Sequence, residues 1–264
     1  TWAQEALPDD VVAACGLAYG ADRLQRYDVY APRGARNAPV LVFWHGGGWT
    51  NGYRDYVRFM ATHVTRLGMV LVAPSYRLAP AHRMPAPLDD CLAVLASVTQ
   101  NIGALGGAPD RLYLSGHSAG GHLAAMTALR HDRWASAGVP TDAIRACLPI
   151  SGIMDLYHPA PATGSLEERV YTTVLANTDE DAVMSPICWT VGNRMPFLLS
   201  RGERDSERVI RSNQRLHALL QLQGGLVHHR VQTGRDHFQT HSDLRQSDHS
   251  WYGSLRQLVN TGTP

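Results

Sequence analysis

The pentapeptide GHSAG (116–120) stands between the apolar run RLYLSG (111–116) and the helix-like segment GGHLAAMTALR (120–130). A strand that passes directly into a helix closes the backbone tightly, and Gly116 and Gly120 are small enough to allow it. The pattern G-x-S-x-G then marks Ser118 either as a nucleophile or as a small residue in a glycine-rich turn. The rest of the chain must decide between these two interpretations.

Short apolar runs rich in β-branched and aromatic residues alternate with helix-like segments along the chain. Several runs are apolar without alternation, which is typical of strands buried on both faces of a parallel sheet. The predicted strands are RYDVYA (26–31), VLVFWH (40–45), MVLVAP (69–74), RLYLSG (111–116), ACLPIS (146–151), FLLSRG (197–202) and VHHRVQ (227–232). The predicted helices lie near 54–67, 87–102, 119–131, 206–223 and 242–258. This alternation predicts an α/β fold, a mostly parallel, doubly wound sheet with helices on both faces.

We expect a single domain over residues 1–264 without a large cap domain. The segment 152–195, rich in Pro, Thr and Asp, is the least regular. We interpret it as an excursion over the top of the sheet with one short helix near 166–176. It either covers the active site or forms the surface of a homodimer, and the residue pattern does not decide between them.

Charge and cysteine usage limit the partners and the compartment. With 24 basic and 23 acidic residues the net charge is +1, which argues against nucleic acid or a membrane surface, since both require a clustered basic face. No apolar run approaches the roughly 18 residues of a spanning helix, and TWAQEALPDD (1–10) lacks the features of a signal peptide. Cys15, Cys91, Cys147 and Cys188 are scattered, which favours free thiols in a cytoplasmic protein over disulfides.

Three glycine-containing or polar stretches follow predicted strands: HGGGW (45–49), GHSAGG (116–121) and GERD (202–205). Functional loops of a doubly wound sheet lie at the carboxyl ends of its strands, so this placement favours Ser118 as a nucleophile. An oxyanion needs preorganised donors, and the amides of Gly47 and Gly48, joined by that of Ala119, are the candidates. The alternative for HGGGW is a plain glycine turn or a phosphate-binding nest. We expect His45 to brace this loop.

A serine nucleophile also needs a base, and the chain has 13 histidines. His237 lies in a loop just after the last predicted strand, where the base should lie. His228 and His229 fall inside that strand and would point to opposite faces. His241 and His249 lie in a polar helical stretch and are expected to be solvated.

The acid that orients the base should precede it in the chain. Asp205 directly follows the strand FLLSR and is favoured over Glu203 and Asp236. Asp236 is too close in sequence to His237 to reach its far ring nitrogen. A zinc site of Asp236, His237 and His241 is the competing interpretation, but no further strong ligand has a suitable spacing. No metal, nucleotide or other cofactor is implied. Trp49, Tyr53 and Trp189 are candidate pocket walls, with burial in the core as the alternative.

Taken together, the blocks HGGGW, PSYRLAPAHRMPAPLDDCLAVL and GHSAGGHLAAM, followed by GERD and DHF, resemble the α/β-hydrolase superfamily, and within it the hormone-sensitive-lipase-like esterases. The resemblance covers residues from about 19 to 240. It implies an α/β-hydrolase fold and a serine hydrolase without cofactor. By this resemblance the nucleophile, acid and base are Ser118, Asp205 and His237, and the oxyanion hole is formed by Gly47, Gly48 and Ala119.

Other segments, YGADRLQRYDVYAP, SGIMDLYHP, SPICW and GRDHF, look more like kynurenine formamidase (arylformamidase) and related compact esterases. Only 44 residues precede His45, fewer than in typical lipase-like members, and in the compact relatives loops cover the site. The expected function is therefore hydrolysis of small acyl or aryl esters, with hydrolysis of N-formylkynurenine as the alternative. A non-catalytic small-molecule-binding protein is the alternative of another class, but such proteins usually lose a triad member.

Overall fold

An eight-stranded sheet organises residues 6–263, the part of the chain that the computed structural model describes. Its order is β1-β2-β4-β3-β5-β6-β7-β8. The strands are β1 Val11–Ala18, β2 Arg26–Pro32, β3 Ala38–Trp44, β4 Val70–Pro74, β5 Gly107–His117, β6 Ile144–Ile150, β7 Phe197–Arg204 and β8 Val227–Asp236. Strand β2 is antiparallel to β1 and β4, and every other pair is parallel. The first half of the segment 1–10, considered for a signal peptide, lies outside the described residues.

Strand β3 shows why the central strands lack alternation in the sequence. Val40 and Val42 pack into the core on one face of the sheet, whereas Leu41 and Phe43 pack into the core on the other face. All four side chains are fully buried. A strand covered on both faces has no solvent side, so its residues are apolar throughout.

Helices cover both faces, which confirms the predicted doubly wound α/β architecture. The α-helices are α1 Ala61–Arg66, α2 Ala86–Asn101, α3 Ala119–Leu129, α4 Trp134–Ala137, α5 Leu166–Arg169, α6 Glu207–Gln221, α7 Gln239–Ser242 and α8 Ser250–Thr261. Apolar residues of α2, α3 and α6 join the core on one face, and those of α1 and α8 join the core on the other. Within residues 6–263, none of the helices combines the length and apolar composition needed to cross a membrane.

Two elements of the structure differ from the prediction. The edge strand β1 was not predicted, although its residues VVAACGLA form an apolar run. Most of these residues are exposed, and a register shift between Ala14 and Leu17 interrupts their pairing with β2. The helix predicted over 242–258 is wrong in extent. Helix α8 begins at Ser250, where the Nδ1 of His249 accepts the N–H of Trp251 and caps the helix.

The irregular segment 152–195 contains short helical pieces instead of a strand or a long helix. Helix α5 continues into a π-helical turn at Val170–Val174, which matches the short helix predicted near 166–176. Single 3₁₀ turns follow at Thr178–Glu180 and Pro186–Trp189.

The backbones of β3 and α3 approach each other closely at the two glycines of the GHSAG stretch. A Cβ atom on Gly120 would lie 2.2 Å from the carbonyl oxygen of Trp44, and one on Gly116 would lie 2.8 Å from the same atom. Neither distance is compatible with a side chain. Because β3 is a central strand, it cannot move aside without disturbing the sheet.

We therefore expect Gly120→Ala to lower the free energy of unfolding by at least about 2 kcal/mol, because the added methyl group meets backbone. Gly253→Ala is the matched control, since a Cβ at this exposed position of α8 would meet nothing within 4 Å. It should raise stability by about 0.5–1 kcal/mol through its helix propensity. Urea titrations of the two variants and the parent measure both effects. Equal stability of Gly120→Ala and the parent would contradict the close approach.

Candidate active site

Ser118 is the single residue that joins β5 to α3. Its backbone is at φ 55 and ψ −119, outside the helical region, and a positive φ is unfavourable for a residue with a side chain. Its N–H donates to the carbonyl of Ile150 at 2.9 Å, and its own carbonyl accepts the N–H of His122 at 2.9 Å. These bonds hold the strained turn in place at the carboxyl end of the sheet.

The structure brings the predicted nucleophile, base and acid into one line of hydrogen bonds. The Nε2 of His237 lies 2.8 Å from the Oγ of Ser118. The Nδ1 of His237 lies 2.6 Å from Oδ1 of Asp205, whose side chain is fully buried. With a proton on Nδ1 donated to the carboxylate, Nε2 is free to accept the serine hydroxyl.

The two rival acids bond elsewhere. The Oε2 of Glu203 accepts the N–H of Gly234, which lies within β8, at 2.6 Å. The Oδ1 of Asp236 accepts the N–H of Gln239 at 2.9 Å, at the start of α7. Among the described carboxylates, only that of Asp205 is hydrogen-bonded to the ring of His237.

Sequence reasoning missed the groups that hold Asp205. Its Oδ2 accepts two hydrogen bonds of 2.7 Å, from the hydroxyl of Ser151 and from the N–H of Gly202. Ser151 follows β6 directly and is itself at φ 48. A serine at the end of a strand has no local signature. The available signal was only that β6 precedes β7 and that their carboxyl ends lie side by side.

The glycine loop HGGGW lies against the nucleophile. A Cβ on Gly46 would be 3.3 Å from the Cβ of Ser118. Gly47 is at φ 123, where a Cβ would lie 2.1 Å from the carbonyl oxygen of Asn51, so glycine is required there. Within residues 6–263, the N–H of Gly47 and of Gly48 have no hydrogen-bond acceptor. Ala119 is the first residue of α3, where an N–H lacks an intrahelical acceptor. Three N–H groups of this loop and of the start of α3 thus lack a hydrogen-bond acceptor among the described residues.

His45 braces this loop from within the core, as expected. Its ring stacks on Tyr76 with centroids 4.4 Å apart, and the Tyr76 hydroxyl donates to the His45 carbonyl at 3.1 Å. Burial lowers the pKa of His45 to about 4, so the ring is neutral near pH 7. Arg77, the next residue in the chain, anchors the backbone beside Tyr76, because its guanidinium forms hydrogen bonds of 2.8–3.0 Å with the buried carboxylate of Asp90.

The three candidate pocket residues lie in different places. Trp49 is fully buried in the core, and its Nε1–H donates to the Nδ1 of His122 at 3.3 Å, so it does not line an open pocket. Tyr53 is exposed and packs on Tyr56, with ring centroids 4.6 Å apart.

Trp189 contacts a cation, and its role as a pocket wall stays a prediction. The guanidinium of Arg130 lies 3.8 Å from its ring centroid. Arg130 follows the C-terminal end of α3, and the 11 residues of this helix carry the backbone about 16 Å along the helix axis from Ser118. The sequence could not show this, because Trp189 lies in the irregular segment 152–195, where no periodicity indicates direction.

A pair of stacked histidines supports the loop of His237. The Nε2–H of His117 donates to the His237 carbonyl at 2.8 Å, and the His117 ring stacks on His241 with centroids 4.9 Å apart. The expectation that His241 is solvated is wrong: it is 8% exposed, because α7 turns its ring onto Phe43 of β3. Burial lowers the pKa of His241 to about 4 and that of His117 well below its usual range.

The zinc interpretation does not fit this geometry. Both ring nitrogens of His237 are hydrogen-bonded, to Ser118 and to Asp205. The ring of His241 stacks against His117. Among residues 6–263, no three His, Cys, Asp or Glu side chains are grouped so that they could hold a metal ion.

Comparison with known proteins agrees with this fold. The α/β hydrolase fold family matches residues 41–239. Carboxylesterase NlhH of Mycobacterium tuberculosis is 43% identical over 102 residues, which make up 38% of this chain and 32% of that esterase. The match to this carboxylesterase thus spans about a third of its length. A kynurenine formamidase of Salmo salar is 28% identical over 263 residues, covering 97% of this chain and 82% of the formamidase.

Solved structures show the same fold. An esterase of the archaeon Pyrobaculum calidifontis has a TM-score of 0.80 at 22% identity, covering 99% of this chain and 88% of that chain. The carboxylesterase EstE1, cloned from a metagenomic library, has a TM-score of 0.79 at 22% identity, covering 97% of this chain and 92% of that chain. At this identity the likeness concerns the fold alone.

The buried histidines make stability depend on pH. Burial lowers the pKa of His45, His122 and His241 to about 4 and that of His117 well below its usual range, whereas an unfolded histidine titrates near 6.5. Between these two pKa values the unfolded chain binds more protons than the folded chain, so we expect the free energy of unfolding to fall as the pH decreases from about 6.5 to 4.

His241→Phe should reduce the slope of the free energy of unfolding against pH by up to about 1.4 kcal/mol per pH unit. Urea titrations across the range test this, with His131→Gln, at an exposed histidine, as control. Equal slopes for His241→Phe and the parent would contradict burial of a neutral ring.

Proposed function

Since the chain belongs to the α/β hydrolase fold family, which matches residues 41–239, we propose that it is a serine hydrolase acting on small carboxylic esters. The observation that carries this proposal is the line of hydrogen bonds from Ser118 through His237 to Asp205. It lies beside three N–H groups that can receive an oxyanion. A carboxylesterase among the relatives supports the choice of substrate.

The first half of the reaction forms an acyl-enzyme. His237 removes the proton of the Ser118 hydroxyl through Nε2, and the Oγ attacks the ester carbonyl. The carbonyl oxygen becomes an oxyanion, which accepts hydrogen bonds from the N–H groups of Gly47, Gly48 and Ala119. These donors are backbone groups fixed by the turn and the loop, so they need no reorganisation when the charge develops.

The tetrahedral intermediate then collapses: its bond to the alkoxide oxygen breaks, His237 gives its proton to that oxygen, and the alcohol leaves the acyl-enzyme. The second half of the reaction releases the acid. A water molecule then repeats the sequence on the acyl-enzyme, with His237 first as base and then as acid. The carboxylate of Asp205 keeps the Nδ1 proton in place and stabilises the imidazolium that forms in each half.

Hydrolysis of a formamide is the second candidate. It is favoured by the kynurenine formamidase of Salmo salar, which aligns over 97% of this chain and 82% of its own length. The same three side chains would attack a formyl carbonyl, and the leaving group would be an aromatic amine. The two candidates therefore differ in the size of the acyl group and in the leaving group, while the catalytic steps are the same.

We also propose that the segment 152–195 covers the active site. Two contacts support this. The Cδ1 of Leu166 is 3.9 Å from the position of a Cβ on Gly48, and the carbonyl of Met184 accepts the Nε2–H of His122 at 2.7 Å. Leu166 thereby bounds the space in front of the oxyanion loop. The homodimer surface, the other role considered for this segment, stays a prediction.

A reducing compartment such as the cytoplasm is part of the proposal. All four cysteines are free; Cys15 and Cys188 are exposed, whereas Cys91 and Cys147 are buried. Unpaired exposed thiols are typical of proteins kept in reducing surroundings.

Removing a member of the triad should abolish ester hydrolysis. Ser118→Ala is expected to reduce kcat for p-nitrophenyl acetate at least about 1,000-fold, and Asp205→Asn roughly 100- to 10,000-fold, because the base loses its orientation. Glu203→Gln is the matched control and should stay within a few-fold of the parent. If Asp205→Asn retains that much activity while Glu203→Gln loses it, the assignment of the acid is wrong. A burst of p-nitrophenol from the parent would rule out the non-catalytic binding protein.

An acyl and leaving-group panel separates the two candidate activities. An esterase should turn over p-nitrophenyl acetate and butyrate, whereas a formamidase should accept only the formyl group but tolerate a large aromatic amine as leaving group. Initial rates on formyl, acetyl and butyryl aryl esters and on N-formylkynurenine give the comparison. We expect the acetyl and butyryl esters to be hydrolysed. Turnover of N-formylkynurenine with no reaction on these esters would replace the first proposal with the second.

A further inference from the structure

A closed ring of hydrogen bonds starts and ends at His237. The Nδ1 of His237 bonds Oδ1 of Asp205 at 2.6 Å, and the hydroxyl of Ser151 donates to Oδ2 of Asp205 at 2.7 Å. The oxygens of Ser151 and Thr240 are 2.9 Å apart, and the hydroxyl of Thr240 donates to the carbonyl of His237 at 2.8 Å. The ring thus connects the side chain of the base to its own main chain through the acid.

The number of hydroxyl protons determines the direction of the ring. Each hydroxyl donates one proton, and that of Ser151 is used on the carboxylate of Asp205. Thr240 is therefore the donor between the two hydroxyls, and it shares its proton between the Ser151 oxygen and the His237 carbonyl. Removing the hydroxyl of Ser151 or of Thr240 deprives the remaining hydroxyl of its hydrogen-bond partner in the protein interior, which is costly because water does not replace the partner there.

The ring joins parts of the chain that are distant in sequence. Ser151 follows β6, Asp205 follows β7, and Thr240 lies in α7, beyond β8. Ser151 and Thr240 are both fully buried. The N–H of Ser151 also donates to the carbonyl of Ser200 in β7 at 2.7 Å, which fixes its hydroxyl relative to that strand.

Resting on the proposed function, we propose that Ser151 and Thr240 are positioning residues of the hydrolysis, which hold Asp205 and His237 in the one arrangement that lets Nε2 face Ser118. They touch neither the substrate nor the nucleophile. Their effect is on the chemical step, because a base that rotates out of line no longer exchanges a proton with the serine. Substrate binding should be unaffected.

Substitutions at Thr240 separate the hydroxyl from the shape of the side chain. Thr240→Val keeps the shape and removes the hydroxyl, whereas Thr240→Ser keeps the hydroxyl. Thr127→Val is the matched control, because Thr127 is equally buried and its hydroxyl donates to the carbonyl of Leu123 within α3, outside the ring. We expect Thr240→Val to lower kcat roughly 10- to 100-fold with little change in KM, and Thr240→Ser to restore it. Thr127→Val should match the parent.

Substitutions at Ser151 separate the hydroxyl from backbone strain. Both Ser151→Ala and Ser151→Gly remove the hydroxyl, but only glycine suits a φ of 48. The two variants should lose kcat to the same extent even if Ser151→Gly is the more stable. The double variant Ser151→Ala with Thr240→Val should be about as slow as the slower single variant, because one break already opens the ring.

A measurement without substrate tests the ring independently of the proposed function. Proton NMR follows the Nδ1–H of His237, assigned by its loss in His237→Ala. We expect Thr240→Val and Ser151→Ala to shift or broaden this signal, and Thr240→Ser and Thr127→Val to leave it unchanged. An unchanged signal in Thr240→Val, or a kcat within twofold of that of Thr127→Val, would overturn the proposal. If the parent hydrolyses no ester while the signal responds as expected, the proposed function fails and the positioning by the ring stands.

Discussion

The rest of the structure depends on one change of direction, the passage from β5 to α3 through the single residue Ser118. The turn has no room for a side chain at positions 116 and 120, because a Cβ atom on either glycine would collide with the carbonyl oxygen of Trp44 in β3. It also keeps a non-glycine residue at positive φ, which costs roughly 1–3 kcal/mol. The two buried cores on either side of the sheet must outweigh that cost. The turn places the Ser118 hydroxyl at the carboxyl end of the central strands, and the first amide of α3 follows it directly in the chain.

The candidate site is assembled at the ends of neighbouring parallel strands. The loop after β3 carries the glycine amides, the turn after β5 carries Ser118, and the ends of β7 and β8 carry Asp205 and His237. Hydrogen bonds from different residues hold these groups: Ile150 bonds the backbone of Ser118, Ser151 bonds the carboxylate of Asp205, and His117 bonds the carbonyl of His237. The carboxylate of Asp205 is fully buried and accepts bonds from Ser151, Gly202 and His237, so its charge is compensated without contact with a cation.

Neutral histidines surround this site. His45, His117, His122 and His241 are all removed from water, and burial disfavours their charged forms. They therefore act as rigid aromatic rings that can still donate a hydrogen bond: His117 bonds the carbonyl of His237, and His122 bonds that of Met184 in the segment 152–195. Had these rings been charged, their repulsion would have opposed protonation of His237 during the proposed reaction.

The sequence alone predicted most of the elements and the candidate catalytic residues, because both depend on local patterns. Apolar runs without alternation predicted the central strands, glycines around Ser118 predicted the tight turn, and chain order pointed to Asp205 and His237. It did not predict the edge strand β1, the start of α8, the burial of His241 or the location of Trp189. Nor did it reveal Ser151 and Thr240. These depend on which strands become neighbours and which loops pack together, contacts between residues far apart in the chain that only the tertiary structure decided, because no pattern within a segment records them.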